Sequence, residues 1–422
     1  MGRSRSRVLD AVRRSLAGSV LAALLVPPAP VLSREINPEG AIAEARRLNR
    51  EAEALIAAGR FPEAAGVARQ ALTLALETLG PQHPVVALSL ANLAVAYGSQ
   101  GKHAEAEPLQ RRALAVLEQA LGEDHPAVAA SLNNLALLYR SQGKVSEAEP
   151  LQRRALAIRE KAFGPDHPTV AASLNNLADT YTTQGRYAEA EPLYSRALGI
   201  VEQRLGTSHP LAATALNNLA FVYAAQGKHA EAEPLYRRAL EIRERTLGPQ
   251  HPDLAVTLNN LGLLYAAQGR HAEAEPLYRR ALAIVESALG PEHPSAGMTL
   301  NNLALLYRSA ARYAEAEPLY RRALAIAEKV LGPQHPDVAA TLSNLAALYV
   351  AQGRYAEAEP LYRRALAITE NALGPRHPVI ASILKPLAAV LRATERAAEA
   401  EWLESRAAQI IASDRRPVPP GR

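Results

Sequence analysis

Apolar residues recur at helical spacing, in two stripes that alternate along the chain. Val128, Leu132, Leu135, Leu138 and Tyr139 lie three or four residues apart, which predicts an amphipathic helix. His125-Pro126 opens it, since proline at the first helical position lacks only an N–H that would have had no partner. Gln142-Gly143 predicts its end, because glycine takes the left-handed capping conformation cheaply. Ala148, Leu151, Ala155, Leu156 and Ile158 predict a second helix from about Ser146 to about Phe163, closed by Gly164-Pro165. Pro150, about one turn inside, predicts a slight kink or a shifted start there. Ala136, Ala148 and Ala155 are small enough for the two helices to approach closely, with Leu135 and Tyr139 filling the space between.

This helix pair is written over and over. Closely similar text returns at Ser173, Ala215, Thr257, Thr299 and Thr341. Eight His-Pro pairs, at His83, His125, His167, His209, His251, His293, His335 and His377, stand 42 residues apart without insertion or deletion. One such pair cannot bury both its faces, so neighbours must stack and share a core. The expected class is all-α, a solenoid of antiparallel helix pairs with a 42-residue period. About nine repeats occupy 43–413, and the first and last are degenerate. Glu51 stands where every later unit has Leu, and Lys385-Pro386 replaces the usual Asn pair, as expected of caps with one face in water.

Composition supports helices and removes several chemistries. Ala and Leu dominate the 48% hydrophobic residues, aromatics are 5%, and Cys is absent. Disulfides and thiolate metal sites are therefore excluded. Of the net charge of +5, residues 1–33 carry Arg3, Arg5, Arg7, Arg13 and Arg14 against Asp10. Without them 42 basic and 41 acidic residues remain, a balance that argues against nucleic acid as a partner. The basic start, the apolar run Ser15 to Val26 and the small residues at Val31 and Ser33 predict an export signal over 1–33. That run is short for a spanning helix, so a cleaved signal is expected, with an uncleaved anchor as an alternative; the mature chain is expected in the periplasm or medium, with a cytoplasmic location as the alternative. Residues 34–42 are expected to be a linker, and the Pro-rich 414–422 a disordered tail.

The text LNNLA..Y..QG.Y.EAEPLY.RAL.I.E..LG..HP resembles the tetratricopeptide repeats of kinesin light chain and its many bacterial relatives. The usual unit has about 34 residues, so the inter-unit loop is longer here. The resemblance implies a right-handed superhelix whose first helices line a concave groove for an extended peptide or partner protein. Carried over by position, that groove would show Asn133, Asn175, Asn217, Asn259 and Asn301. Leu137, Asp179, Phe221, Leu263 and Leu305 would stand one turn further along, with Arg140 and Arg308 near the rim. The adjacent amides, Asn134 and Asn176 among them, would instead tie neighbouring helices together. Amide side chains both donate and accept, so the first row could hold a peptide backbone without demanding its sequence. No heptad segment like the kinesin light chain coiled coil occurs, so a motor-adaptor role is not implied.

Other candidate chemistry reduces to scaffolding. Histidines one repeat apart cannot share a metal whose ligands sit about 2.0–2.1 Å away, so capping is expected of them. The doubled arginines, such as Arg153-Arg154 and Arg321-Arg322, follow glutamates at pairing distance on the same helix. No nucleophile–base pair or glycine-rich phosphate loop occurs, and every prominent carboxylate has copies in other units. The reading is a non-catalytic, cofactor-free and monomeric protein-binding scaffold. Its alternatives are end-to-end self-association and a regulatory sensor acting on a separate effector.

Overall fold

A computed structural model describes residues 38–414, with side chains for 39–412. The expected export signal and residues 415–422 of the tail lie outside the described residues. Eighteen α-helices and one short 3-10 turn make up the described residues, and none of those residues is in a strand. The first helices of the pairs are α1 (Pro38–Ala57), α3 (Pro84–Ser99), α5 (Pro126–Ser141), α7 (Pro168–Thr183) and α9 (Pro210–Ala225). They continue as α11 (Asp253–Ala267), α13 (Pro294–Ser309), α15 (Pro336–Ala351) and α17 (Ala381–Ala393). The second helices are α2 (Phe61–Leu79), α4 (His103–Leu121), α6 (Val145–Phe163), α8 (Tyr187–Leu205) and α10 (His229–Leu247). The series ends with α12 (His271–Leu289), α14 (Tyr313–Leu331), α16 (Tyr355–Leu373) and α18 (Ala397–Asp414).

Two compact units divide these helices, α1 to α9 in residues up to Lys228 and α10 to α18 from His229 onward. Within each unit every helix packs against the next in sequence. First helices of successive repeats also touch, as α5 does α7 and α13 does α15, whereas second helices approach one another less. Closer spacing on one side bends each stack, with its first helices on the inner wall. The core is small and regular: Ala136, Ala148 and Ala155 are fully covered, with Leu135 and Tyr139 packed beside them. Each alanine brings two backbones together at little entropic cost, and stacking then covers the flanks.

The local signals explain the boundaries. Each His-Pro histidine caps its helix: His125 Nδ1 accepts from the Ala127 N–H at 3.1 Å, and His335 Nδ1 from that of Asp337 at 3.1 Å. A neutral ring with its proton on Nε2 does this work, and Pro follows where no N–H is needed. The segment expected as a linker at 34–42 enters α1 at Pro38, for the same reason, with Glu39 in the first turn. Helix α6 begins at Val145 and runs unbroken through Pro150, which falls early enough to remove one backbone hydrogen bond.

Two turns are strained, the one after α13 and the one after α17, where Glu395 stands at φ 60°. Gly143 and Gly353 end their helices with φ of 77° and 73°, but the corresponding residue in α13's turn is Ala311, at φ 57°. A Cβ in the left-handed region costs about 1–2 kcal/mol, partly offset by the chain entropy glycine loses on folding. Ala311→Gly is therefore expected to stabilise the protein by about 0.5–1 kcal/mol in denaturant titration. A destabilised variant would show that the turn carries no strain.

Candidate functional site

The inner wall of each unit is built from one face of the first helices. Leu137 and Phe221 in the first unit, and Leu263 and Leu305 in the second, are half-buried there, neither core nor free surface. The first asparagine row behaves otherwise than expected. Asn133, Asn217 and Asn259 are buried, and Asn133, Asn259 and Asn301 bond across to the next first helix. Asn176 Nδ2 donates to Asn133 Oδ1 at 2.6 Å, and Asn344 Nδ2 to Asn301 Oδ1 at 3.0 Å. Asn259 further donates to the Thr299 hydroxyl at 2.9 Å and the Ala255 carbonyl at 2.8 Å. Asn217 donates to its neighbour Asn218 at 3.3 Å. Asn175 is half-buried, its side-chain oxygen enclosed without a hydrogen-bond partner. At Asn133, Asn259 and Asn301 the backbone-binding amide is thus corrected to an inter-repeat tie. The physical reason is that an amide between two helices must find its partners there.

Arg140 is also corrected. Its side chain is 1% exposed, and Nη1 lies 3.5 Å from Asp179 Oδ2 of the following repeat. Tyr194 donates its hydroxyl to the other Asp179 oxygen. Burial, and then the Asp179 charge, pushes the Tyr194 hydroxyl well above its ordinary range. Arg308, half-buried at the corresponding place on α13, pairs with no carboxylate among the described residues. The signal for this difference was present in the text, in the column of residues that holds Asp179 in one repeat and Ala347 in another.

The outer edge carries a second ladder. Glu317 Oε1 accepts from Arg321 at 2.8 Å and from the Tyr349 hydroxyl at 3.0 Å, while Oε2 accepts from Arg354 of the next repeat at 2.7 Å. The Arg354 guanidinium lies 4.1 Å above the Tyr349 ring, and the Arg312–Tyr307 pair repeats that distance. The first arginine of each doublet therefore pairs within its helix, as expected. The second reaches back one repeat instead, Arg364 to Glu328 at 2.6 Å. A single glutamate thus joins two repeats.

These bonds set a pH dependence. The hydrogen bond from Arg354 holds the Glu317 carboxyl at about 2, and Arg270 and Arg312 lower Glu233 and Glu275 in the same way. A carboxyl depressed in the folded state contributes stability that is complete above its unfolded value of about 4.3. That contribution is lost as pH falls toward about 2. Glu317→Gln is expected to cost about 1–2 kcal/mol at neutral pH, in unfolding titrations. The gap should close as pH falls from about 4.3 toward 2. A gap constant with pH would show that the ion pairs contribute nothing.

The geometry defines a class, the all-helical repeat solenoid in which stacked helix pairs present a wall of first helices. The tetratricopeptide repeat family model matches residues 44–119, 99–161, 128–203, 211–287, 259–329, 295–371 and 337–411, so the chain belongs to that family. Its repeats are of the kinesin light chain-like type. A putative kinesin light chain from Podosopora anserina with nearly identical TPR-like repeats is 32% identical, over 49% of this chain and 97% of that one, TM-score 0.42. BtubC (BKLC) from P. vanneervenii is 27% identical over 57% of this chain and 94% of that one, TM-score 0.47. A STAND protein with a tetratricopeptide repeat sensor from Pyrococcus horikoshii shares the fold at 15% identity, over 90% of this chain and 54% of that one, TM-score 0.58. No curated protein matches. Among the described residues no helix is long and apolar enough to cross a membrane.

Proposed function

We propose that the chain is a protein-interaction scaffold that binds an extended peptide or a partner protein along the inner wall of its first helices. The observation that carries this reading is the row of half-buried apolar side chains on that wall, Leu263 and Leu305 in the second unit. Side chains left partly open on that wall offer apolar area to a partner at about 25 cal/mol per Å². Asn133, Asn259 and Asn301 are not among its anchors, because their amides bond to neighbouring first helices.

The test is selection of a random peptide library on the immobilised full chain, followed by titration of the selected peptides. Leu263→Ser with Leu305→Ser is expected to weaken binding at least about tenfold, with the helical circular dichroism kept. Equal affinity for the double variant, or a library that yields no binder, would overturn the reading. Export is part of the same proposal, supported by the basic and apolar character of residues 1–33. N-terminal sequencing of protein from fractionated cells is expected to begin near Glu35, and intact Met1 in cytosolic protein would refute it.

A further inference from the structure

The eight His-Pro pairs share one geometry that only a neutral ring supports. In each, imidazole Nδ1 accepts the N–H two residues on. The distance is 3.1 Å for His125 and 3.2 Å for His83, His167, His209, His251 and His293. His335 and His377 do the same at 3.1 and 3.3 Å. A proton on Nδ1 turns that acceptor into a donor, so the cap and the imidazolium exclude one another. The imidazolium also places positive charge at a helix N-terminus, toward which the backbone dipoles already point their positive end. Both effects have the same sign.

Charged neighbours divide the eight caps into two groups. His251 Nδ1 lies 3.9 Å from the Asp253 carboxylate and His335 Nδ1 3.8 Å from that of Asp337, so a proton gained there meets a counter-charge. The other six have Val85, Ala127, Thr169, Leu211, Ser295 and Val379 at that place. The carboxylates on the elements beside His125 are already engaged. Arg154 of α6 reaches Glu118 and Glu123 at 2.5 and 3.4 Å, and Lys161 pairs with Asp124. Beside His167, Arg196 holds Glu160 at 2.6 Å, Arg204 lies 3.9 Å from Asp166, and the Phe163 ring stacks on the imidazole at 4.9 Å. Arg280 and Arg364 pair with Glu244 and Glu328 in the same way beside His251 and His335. Arg159 reaches the first turn of α7 through the Thr169 carbonyl at 3.5 Å, as Arg243 does that of α11 through the Asp253 carbonyl at 3.0 Å. His125 with His167, and His335 with His251, are therefore matched pairs that differ chiefly in the aspartate.

We propose that these caps make the repeat array an acid-sensitive switch, in which the N-terminal ends of the first helices loosen as pH falls from about 7.5 to about 5.5. A histidine in an unfolded chain takes up its proton near about pH 6.5. In the folded chain the same proton has to displace the cap, so the unfolded state binds more protons in this range and stability falls with pH. The caps are complete above about pH 6.5 and are lost below it. Carboxylates take up protons only below about 4.3, so the outer-edge ladder responds in a separate range. One cap contributes little alone, but each repeat packs on its neighbours, and six caps lost together weaken the whole array. The switch acts whether or not the wall binds a partner; a partner held by the first helices is held less tightly in mild acid.

The test is urea unfolding of the full chain, followed by circular dichroism from about pH 7.5 to about 5.5 at constant ionic strength. Near the midpoint the folded-to-unfolded ratio is expected to fall at least about tenfold over that range. His125→Asn with His167→Asn keeps a side-chain acceptor at both caps at any pH, and should remove about a third of the fall on a logarithmic scale. His251→Asn with His335→Asn should remove less, because Asp253 and Asp337 already offset those protons. NMR of the native chain supplies a second reading that needs no variant. The Ala127 and Thr169 amide protons should shift upfield along the same titration curves as the imidazoles of His125 and His167. A midpoint flat over this range, a first double variant that falls as far as the native chain, or imidazoles that take up protons while those amides stay unmoved, overturns the inference.

Discussion

Asp179→Ala is expected to destabilise the protein by about 3–5 kcal/mol in denaturant unfolding, although aspartate occurs at this place in no other repeat. Arg140 is almost wholly enclosed and Asp179 is 17% exposed, so the pair sits where water compensates neither charge. Deleting the carboxylate leaves the guanidinium buried without a partner and strips the Tyr194 hydroxyl of its acceptor. The loss comes from what is left behind more than from attraction removed, which the double variant makes visible. Arg140→Met with Asp179→Leu replaces both charges by apolar groups, one of them the residue found at Leu137, and should lie within about 1 kcal/mol of the native protein. If the single variant is as stable as that double variant, the ion pair is not buried in the way described.

The second large effect is expected at Tyr278. Its side chain is 1% exposed, and Tyr278→Ala should cost about 3–5 kcal/mol through lost burial and the cavity that remains. Gly262 sharpens this expectation. Most other repeats have alanine there, and a Cβ on Gly262 would come within 2.9 Å of the Tyr278 ring. The ring therefore lies close over the α11 backbone, and no side chain at 262 could move in to fill the space. Hydrogen exchange should show the loss as faster exchange in α11 and α12. A cost below about 1 kcal/mol would mean that the surrounding helices collapse onto the gap.

Both substitutions bear on what can be read without coordinates. The 42-residue beat, the helix pairs and their ends were legible because each rests on local chemistry. A histidine that caps, a proline at the first helical position and a glycine in the left-handed region act on residues within one turn of themselves. The alanine positions that bring paired helices together were legible for a related reason, since a strict repeat shows which columns tolerate only small side chains. By its text alone, then, the chain is a stack of near-identical helix pairs, with the same apolar stripe in each.

Direction was not legible. Asn133 and Asn134 are neighbours in sequence and about 100° apart around a helix, and only the packing of α5 against α7 shows that Asn133 meets Asn176. The same holds for Arg140 and Arg308, identical in kind and place, one enclosed against Asp179 and the other half-buried within electrostatic reach of the Tyr320 and Tyr362 phenols. Sequence specified the repeat because folding each pair depends on residues close along the chain. Tertiary structure alone decided which polar groups tie repeats together, because ion-pair and hydrogen-bond partners 39 to 43 residues apart meet only once neighbouring pairs have stacked.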